Sequence, residues 1–261
     1  MSCEVSHDLL GPPDGSAVVL SCSLGTNRSM WDPQVPALSE RHRVVRYDLR
    51  GHGASPAPAG PYQIADLGGD LLALLDRLEI ERATLCGVSI GAMTSIWLGA
   101  HAPERVERVV LCCTTSKFGR DAARVYRERA ALVLEQGVEP VADGALERWF
   151  TPAFRATNPA LMARVRDGLT STTGVGYAGC CEALAAMDLG SELGAIRAPA
   201  LVISAAEDPA TPPEHGRVIA DGIADSRFEL IADAAHLANI EQAERVTPLI
   251  LDFIDADGSG S

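Results

Sequence analysis

The stretch Leu85-Cys86-Gly87-Val88-Ser89-Ile90-Gly91 decides how this chain folds. The apolar run from Ala83 to Cys86 predicts a buried strand, and the small and apolar residues from Ala92 to Ala100 predict a helix. Between them lies Gly-X-Ser-X-Gly, so strand, sharp turn and helix follow one another with a serine at the apex. A Cβ at either glycine would collide with so tight a turn, and Ser89 is lifted clear of the sheet at the positive end of the helix. A serine that merely caps a helix fits the same five residues. The rest of the chain decides between the two.

Upstream, Ala17 to Leu20 predicts a strand running into the tight loop Ser21-Cys22-Ser23-Leu24-Gly25-Thr26, and Val44 to Tyr47 a second strand before the loop Asp48-Leu49-Arg50-Gly51-His52-Gly53. Leu67, Leu71, Leu74, Leu75 and Leu78 recur at helical spacing. Downstream, Val109 to Cys113, Ala200 to Ile203 and Phe228 to Ile231 read as further strands, and Val246 to Ile254 as a closing helix with Pro248 expected in its first turn. Residues from about Lys117 to Ala195, with Val125, Ala130, Leu132, Val133 and Leu134 among them, show helical periodicity and no strand. This rhythm predicts an α/β fold: a mostly parallel sheet with helices on both faces and a helical cap insertion. The expected division is a core of 1–116 and 196–256, a cap of 117–195, and a linker-like, disordered tail of 257–261.

At 261 residues, 47% of them hydrophobic, the chain can bury a large core. A net charge of -13 argues against nucleic acid and anionic membranes as partners. No apolar run approaches the ~20 residues of a membrane span. Met1 to Asp8 lacks the basic start and apolar centre of a signal peptide, so a cytoplasmic location is expected. The seven cysteines form no C-x-x-C pair, which predicts buried thiols in a reducing compartment rather than disulfides or a metal site. Oligomeric state leaves no signal.

Two further groups join Ser89. Glu207-Asp208 follows the strand ending at Ile203, and His236 follows the last strand in the loop Asp233-Ala234-Ala235-His236. Nucleophile, acid and histidine, each just past a strand end, is the chain order of an α/β-hydrolase. A serine hydroxyl is a weak nucleophile at neutral pH, so His236 must take its proton while Asp208, or alternatively Glu207, orients the imidazole. The oxyanion formed on attack needs two fixed donors, assigned to the backbone N–H groups of Ile90 and Leu24. His52 is expected to stabilise its own turn, Asp233 to shape the loop before His236, and His7, His42, His101 and His215 to be solvated.

Beyond these groups the chain resembles the 3-oxoadipate enol-lactonases of the α/β-hydrolase superfamily. The resemblance rests on Ser23-Leu24-Gly25-Thr26 with Met30-Trp31-Asp32-Pro33-Gln34, on Arg148-Trp149-Phe150-Thr151-Pro152, on Glu207 to Pro213, and on Ala235-His236-Leu237-Ala238-Asn239-Ile240-Glu241. It implies that Asp208 is the acid and that Ser89 opens an enol-lactone without a cofactor, late in aromatic degradation by the β-ketoadipate pathway. Cys22-Ser23 stands where most of the superfamily has His-Gly, a departure shared with enol-lactonases. The short amino terminus leaves room for one strand before Ala17 where the family usually has a hairpin.

An anionic lactone also fits the charge pattern. Residues 117–170 carry nine Lys and Arg against seven Asp and Glu, whereas the remainder carries 13 against 28. Arg148 or Arg124 is expected to meet the substrate carboxylate, and Trp149 to wall the pocket. The alternatives are a general carboxylesterase or a cofactor-free perhydrolase of the haloperoxidase type with the same triad, and a non-catalytic binding protein that keeps the fold.

Overall fold

Each run read as a strand becomes one in the computed structural model, which describes residues 2–256. The strands are β1 (His7–Leu10), β2 (Ala17–Ser21), β3 (Arg43–Tyr47), β4 (Ala83–Val88), β5 (Val106–Cys112), β6 (Ala200–Ala205) and β7 (Ser226–Ile231). They form one sheet in the order β1-β3-β2-β4-β5-β6-β7. β1 runs antiparallel to β3 and every other neighbouring pair is parallel. Every residue of β2, β4 and β6 is buried. Successive side chains point to opposite faces, so both faces of the sheet are covered. Among the described residues one strand, β1, precedes β2.

The order of the strands creates the place for a site. From β2 the chain steps outward to β3, then returns past β2 to β4 and continues the other way. The loops after β2 and β4 therefore diverge at the point where the direction of winding reverses, and a crevice opens there.

Between β5 and β6 the chain inserts helices at Arg120–Gln136, Ala142–Trp149, Pro152–Thr157, Pro159–Thr170 and Gly174–Ala186. This helical segment seats closely on the loop after β3. Gly51 has φ +74°, and a Cβ there would lie 2.2 Å from Cα of Gly176. The Gly51 carbonyl accepts from the Thr173 N–H at 3.2 Å and from its hydroxyl at 2.9 Å. Arg50 in turn holds the loop to the helix Ile64–Arg77 through a buried ion pair with Asp70, at 2.6 Å.

Some expectations need correcting. The closing helix begins at Ala243, so Pro248 lies in its second turn. Glu244 and Pro248 are both exposed, which lets water take the carbonyl that Pro248 leaves without a donor. Val125 and Leu134 face outward, while Ala130 and Val133 are buried. His42 is buried, hydrogen-bonded to Ser16 at 2.8 Å and to Asp255 at 3.0 Å. All seven cysteines are free and buried. The tail 257–261 lies outside the described residues. Among those described, no helix is long and apolar enough to cross a membrane.

Candidate active site

At the end of β4 the backbone turns through Ser89 with φ 57° and ψ −120°, a conformation costly for a residue that carries a Cβ. Three bonds fix it. The Ser89 N–H donates to Cys112 O at 3.0 Å, and its carbonyl accepts from Met93 N–H at 3.0 Å and from the Thr114 hydroxyl at 2.9 Å. The flanking glycines are required by close approach. A Cβ on Gly87 would sit 2.4 Å from Ala92 N, and one on Gly91 would sit 2.5 Å from Ser21 O.

Beyond β6, Asp208 folds back on its own loop. One carboxylate oxygen accepts the N–H groups of Ala210 (2.8 Å) and Thr211 (3.0 Å), and the other accepts the Thr211 hydroxyl (2.7 Å) and faces Nδ1 of His236 at 2.8 Å. Burial opposes ionisation of this carboxyl, but the facing imidazole and the hydrogen bonds prevail and hold it below the usual carboxylate range. A carboxylate only accepts, so Nδ1 of His236 carries the proton and Nε2 keeps its lone pair. Glu207 is exposed, which removes it as the alternative partner. Asp233 is exposed at φ 55° and its carbonyl accepts from Gln242 at 2.8 Å, the loop-shaping role expected.

The loop after β2 supplies Leu24, whose N–H donates to no protein group among the described residues. Ile90 opens the helix that follows Ser89, and a first-turn N–H has no partner within its helix. The neighbouring Gly25 N–H is held by His52, whose Nε2 accepts it at 3.0 Å while Nδ1 meets Arg50 O at 3.0 Å. Burial lowers the pKa of His52, consistent with a neutral ring that needs a lone pair for Gly25. A folded-state pKa below the unfolded value means that folding stability is complete above about pH 6.5 and declines as acid protonates the unfolded chain. Urea midpoints between pH 7.5 and 5.5 should therefore fall less steeply in His52→Gln than in the parent; equal slopes would remove this role.

Ser89 and His236 line one small cavity of about 30 Å³ together with Ser23, Leu24 and Ala210 from the core. The helical segment lines it with Tyr126, Arg129, Arg148, Trp149 and Tyr177. Arg148 and Trp149 are thus among the residues that line it. Arg124 is not: its side chain is exposed and pairs with Glu128 at 3.0 Å. Arg129 takes its place in the cavity wall, its guanidinium 5.2 Å from the centre of the Tyr126 ring. Neither Arg129 nor Arg148 forms an ion pair with a carboxylate among the described residues. Burial, then the neighbouring Arg129, pushes the Arg148 guanidinium below its ordinary value. Burial also pushes the phenols of Tyr126 and Tyr177 up to about 12, so both remain neutral donors. Sequence reasoning missed Arg129: it lies beside Tyr126, Ala130 and Val133 on the inward face of that helix, and only the packing of the helix shows which face is inward.

Residues 17–243 match the family described as alpha/beta hydrolase fold. The chain belongs to that family. This hydrolase is 42% identical to 3-oxoadipate enol-lactonase 2 of Acinetobacter baylyi over 92% of its own length and 89% of the relative's. It superimposes on the crystal structure of the enol-lactonase from Burkholderia xenovorans with a TM-score of 0.93 and 44% identity, covering 96% of each chain. A thermophilic esterase from Thermogutta terrifontis, solved with malate bound, gives a TM-score of 0.91 at 27% identity, covering 96% of this chain and 92% of that one.

Proposed function

We propose that this hydrolase opens the enol-lactone of 3-oxoadipate, with Ser89 as nucleophile, His236 as general base and Asp208 as the group that orients it. The observation carrying this reading is the convergence in one small cavity of Ser89, His236 and two guanidinium groups without a protein counter-ion. Relatives named as enol-lactonases support it further.

In this scheme Nε2 of His236 takes the Ser89 proton as Oγ attacks the lactone carbonyl, and Asp208 stabilises the imidazolium. The N–H groups of Leu24 and Ile90 receive the oxyanion. Collapse breaks the ring C–O bond, and the enol oxygen leaves with the proton from His236. Delocalisation makes this a better leaving group than an alkoxide. Water, losing a proton to His236, then attacks the acyl-enzyme and frees Ser89, and the released enol becomes the ketone. The free carboxylate of the lactone pairs with Arg148 and Arg129 against the Trp149 wall. Residues 117–195 serve as a cap over a core of 1–116 and 196–256. The free thiols and the acidic body accord with a cytoplasmic enzyme acting on a small anionic molecule.

The test is steady-state kinetics on synthetic enol-lactone beside a neutral p-nitrophenyl ester. A higher kcat/KM on the neutral ester would overturn the lactonase reading and favour the esterase one, to which the Thermogutta relative lends weight. Arg148→Met and Arg129→Met should each lower kcat/KM for the lactone about 10–100-fold, the worth of a hydrogen bond to a charged group. Both should change the neutral ester about threefold at most, since no charge is recognised there.

A further inference from the structure

A second buried acid joins the two halves of the site. Glu241 is only 8% exposed, and no cation faces it among the described residues. Its carboxylate accepts the Thr151 N–H at 3.1 and 3.3 Å, the Thr151 hydroxyl, and the Ala235 N–H at 2.9 Å. Thr151 lies two residues beyond Trp149, in the wall of the cavity, and Ala235 directly precedes His236. A further bond runs alongside, from Leu237 N–H to Trp149 O at 3.0 Å. The segments 148–151 and 235–237 are thereby held as one unit.

An unpaired carboxylate is costly to bury unless hydrogen bonds replace its water, and a well-packed apolar side chain would serve stability alone as well or better. What a hydrophobe could not do is fix two separate loops to each other at stated atoms. We propose that Glu241 is a positioning residue that locks the cap wall carrying Arg148 and Trp149 to the loop carrying His236, so that substrate placement and base placement depend on one contact. This rests on the reading above, in which His236 is the base and the Arg148–Trp149 wall meets the substrate.

Glu241→Gln keeps the shape but, in either orientation of the amide, turns an NH2 toward a backbone N–H that can only donate. Thr151→Val removes the hydroxyl at nearly constant volume, and Thr151→Ser restores it. Each variant is assayed on the enol-lactone and on p-nitrophenyl acetate, with circular dichroism and thermal melts in parallel. Glu241→Gln and Thr151→Val should melt as folded proteins and lose about tenfold in kcat on both substrates, because His236 shifts. On the lactone alone KM should also rise several-fold, because Arg148 shifts with it. Thr151→Ser should recover at least half of the Thr151→Val loss. Lower melting temperatures with unchanged kcat and KM would reduce Glu241 to a structural contact and overturn the proposal. Should Glu241→Gln fail to fold, Thr151→Val and its serine rescue decide alone. If the parent enzyme turns over only p-nitrophenyl acetate, the lactone assignment fails while kcat on that ester still tests the lock.

Discussion

Ser89→Ala should abolish turnover, with kcat reduced about 10⁶-fold, as in triads where the nucleophile is removed. The loss is this large because no other hydroxyl lies at the strained apex between β4 and its helix, and His236 then has no proton to take. The fold should persist. The backbone bonds from Ser89 to Cys112, Met93 and Thr114 do not involve its side chain, and alanine carries the same Cβ at φ 57°. Unchanged circular dichroism with absent labelling by a serine-directed fluorophosphonate is the expected pair of results. Residual turnover above a hundredth of the parent would mean that another group attacks the ester.

Asp208→Asn should cost about 10⁴-fold in kcat, through the tautomer of His236 rather than through charge alone. Two backbone N–H groups, from Ala210 and Thr211, would hold the amide oxygen and turn the NH2 toward His236. An NH2 can only donate, so Nδ1 would have to accept and the ring proton would move to Nε2, the nitrogen that must take the Ser89 proton. The same substitution also changes the acid sensitivity of the fold. The carboxyl of Asp208 titrates below its unfolded value, so its contribution to stability is present above about pH 4 and is lost as pH falls through the folded pKa. Asparagine removes that contribution, and the decline of urea midpoints below pH 4 should become shallower in the variant. Near-parental kcat in Asp208→Asn would rule out its part in orienting the base.

Some of this was legible in the sequence because it depends on groups close together in the chain. The pattern at 87–91 was readable because the turn admits no Cβ at its flanks. The order of Ser89, Asp208 and His236 was readable because each follows an apolar run that becomes a strand of the sheet. Arg124 and Arg129 show where such reading stops. Both lie in the helix Arg120–Gln136, and five residues of helix rotate a side chain by about 140°. Only the packing of that helix decides which of them faces the cavity.

The sequence by itself determined the α/β class, the chain order of the three reacting groups and the glycine-flanked turn, since strand burial and backbone sterics act locally. Tertiary structure decided which arginine enters the wall, that His52 holds the Gly25 N–H, and that Glu241 ties Thr151 to Ala235. Those contacts join segments up to ninety positions apart. No local pattern encodes them, because their geometry exists only once the sheet and the helical insertion have packed together.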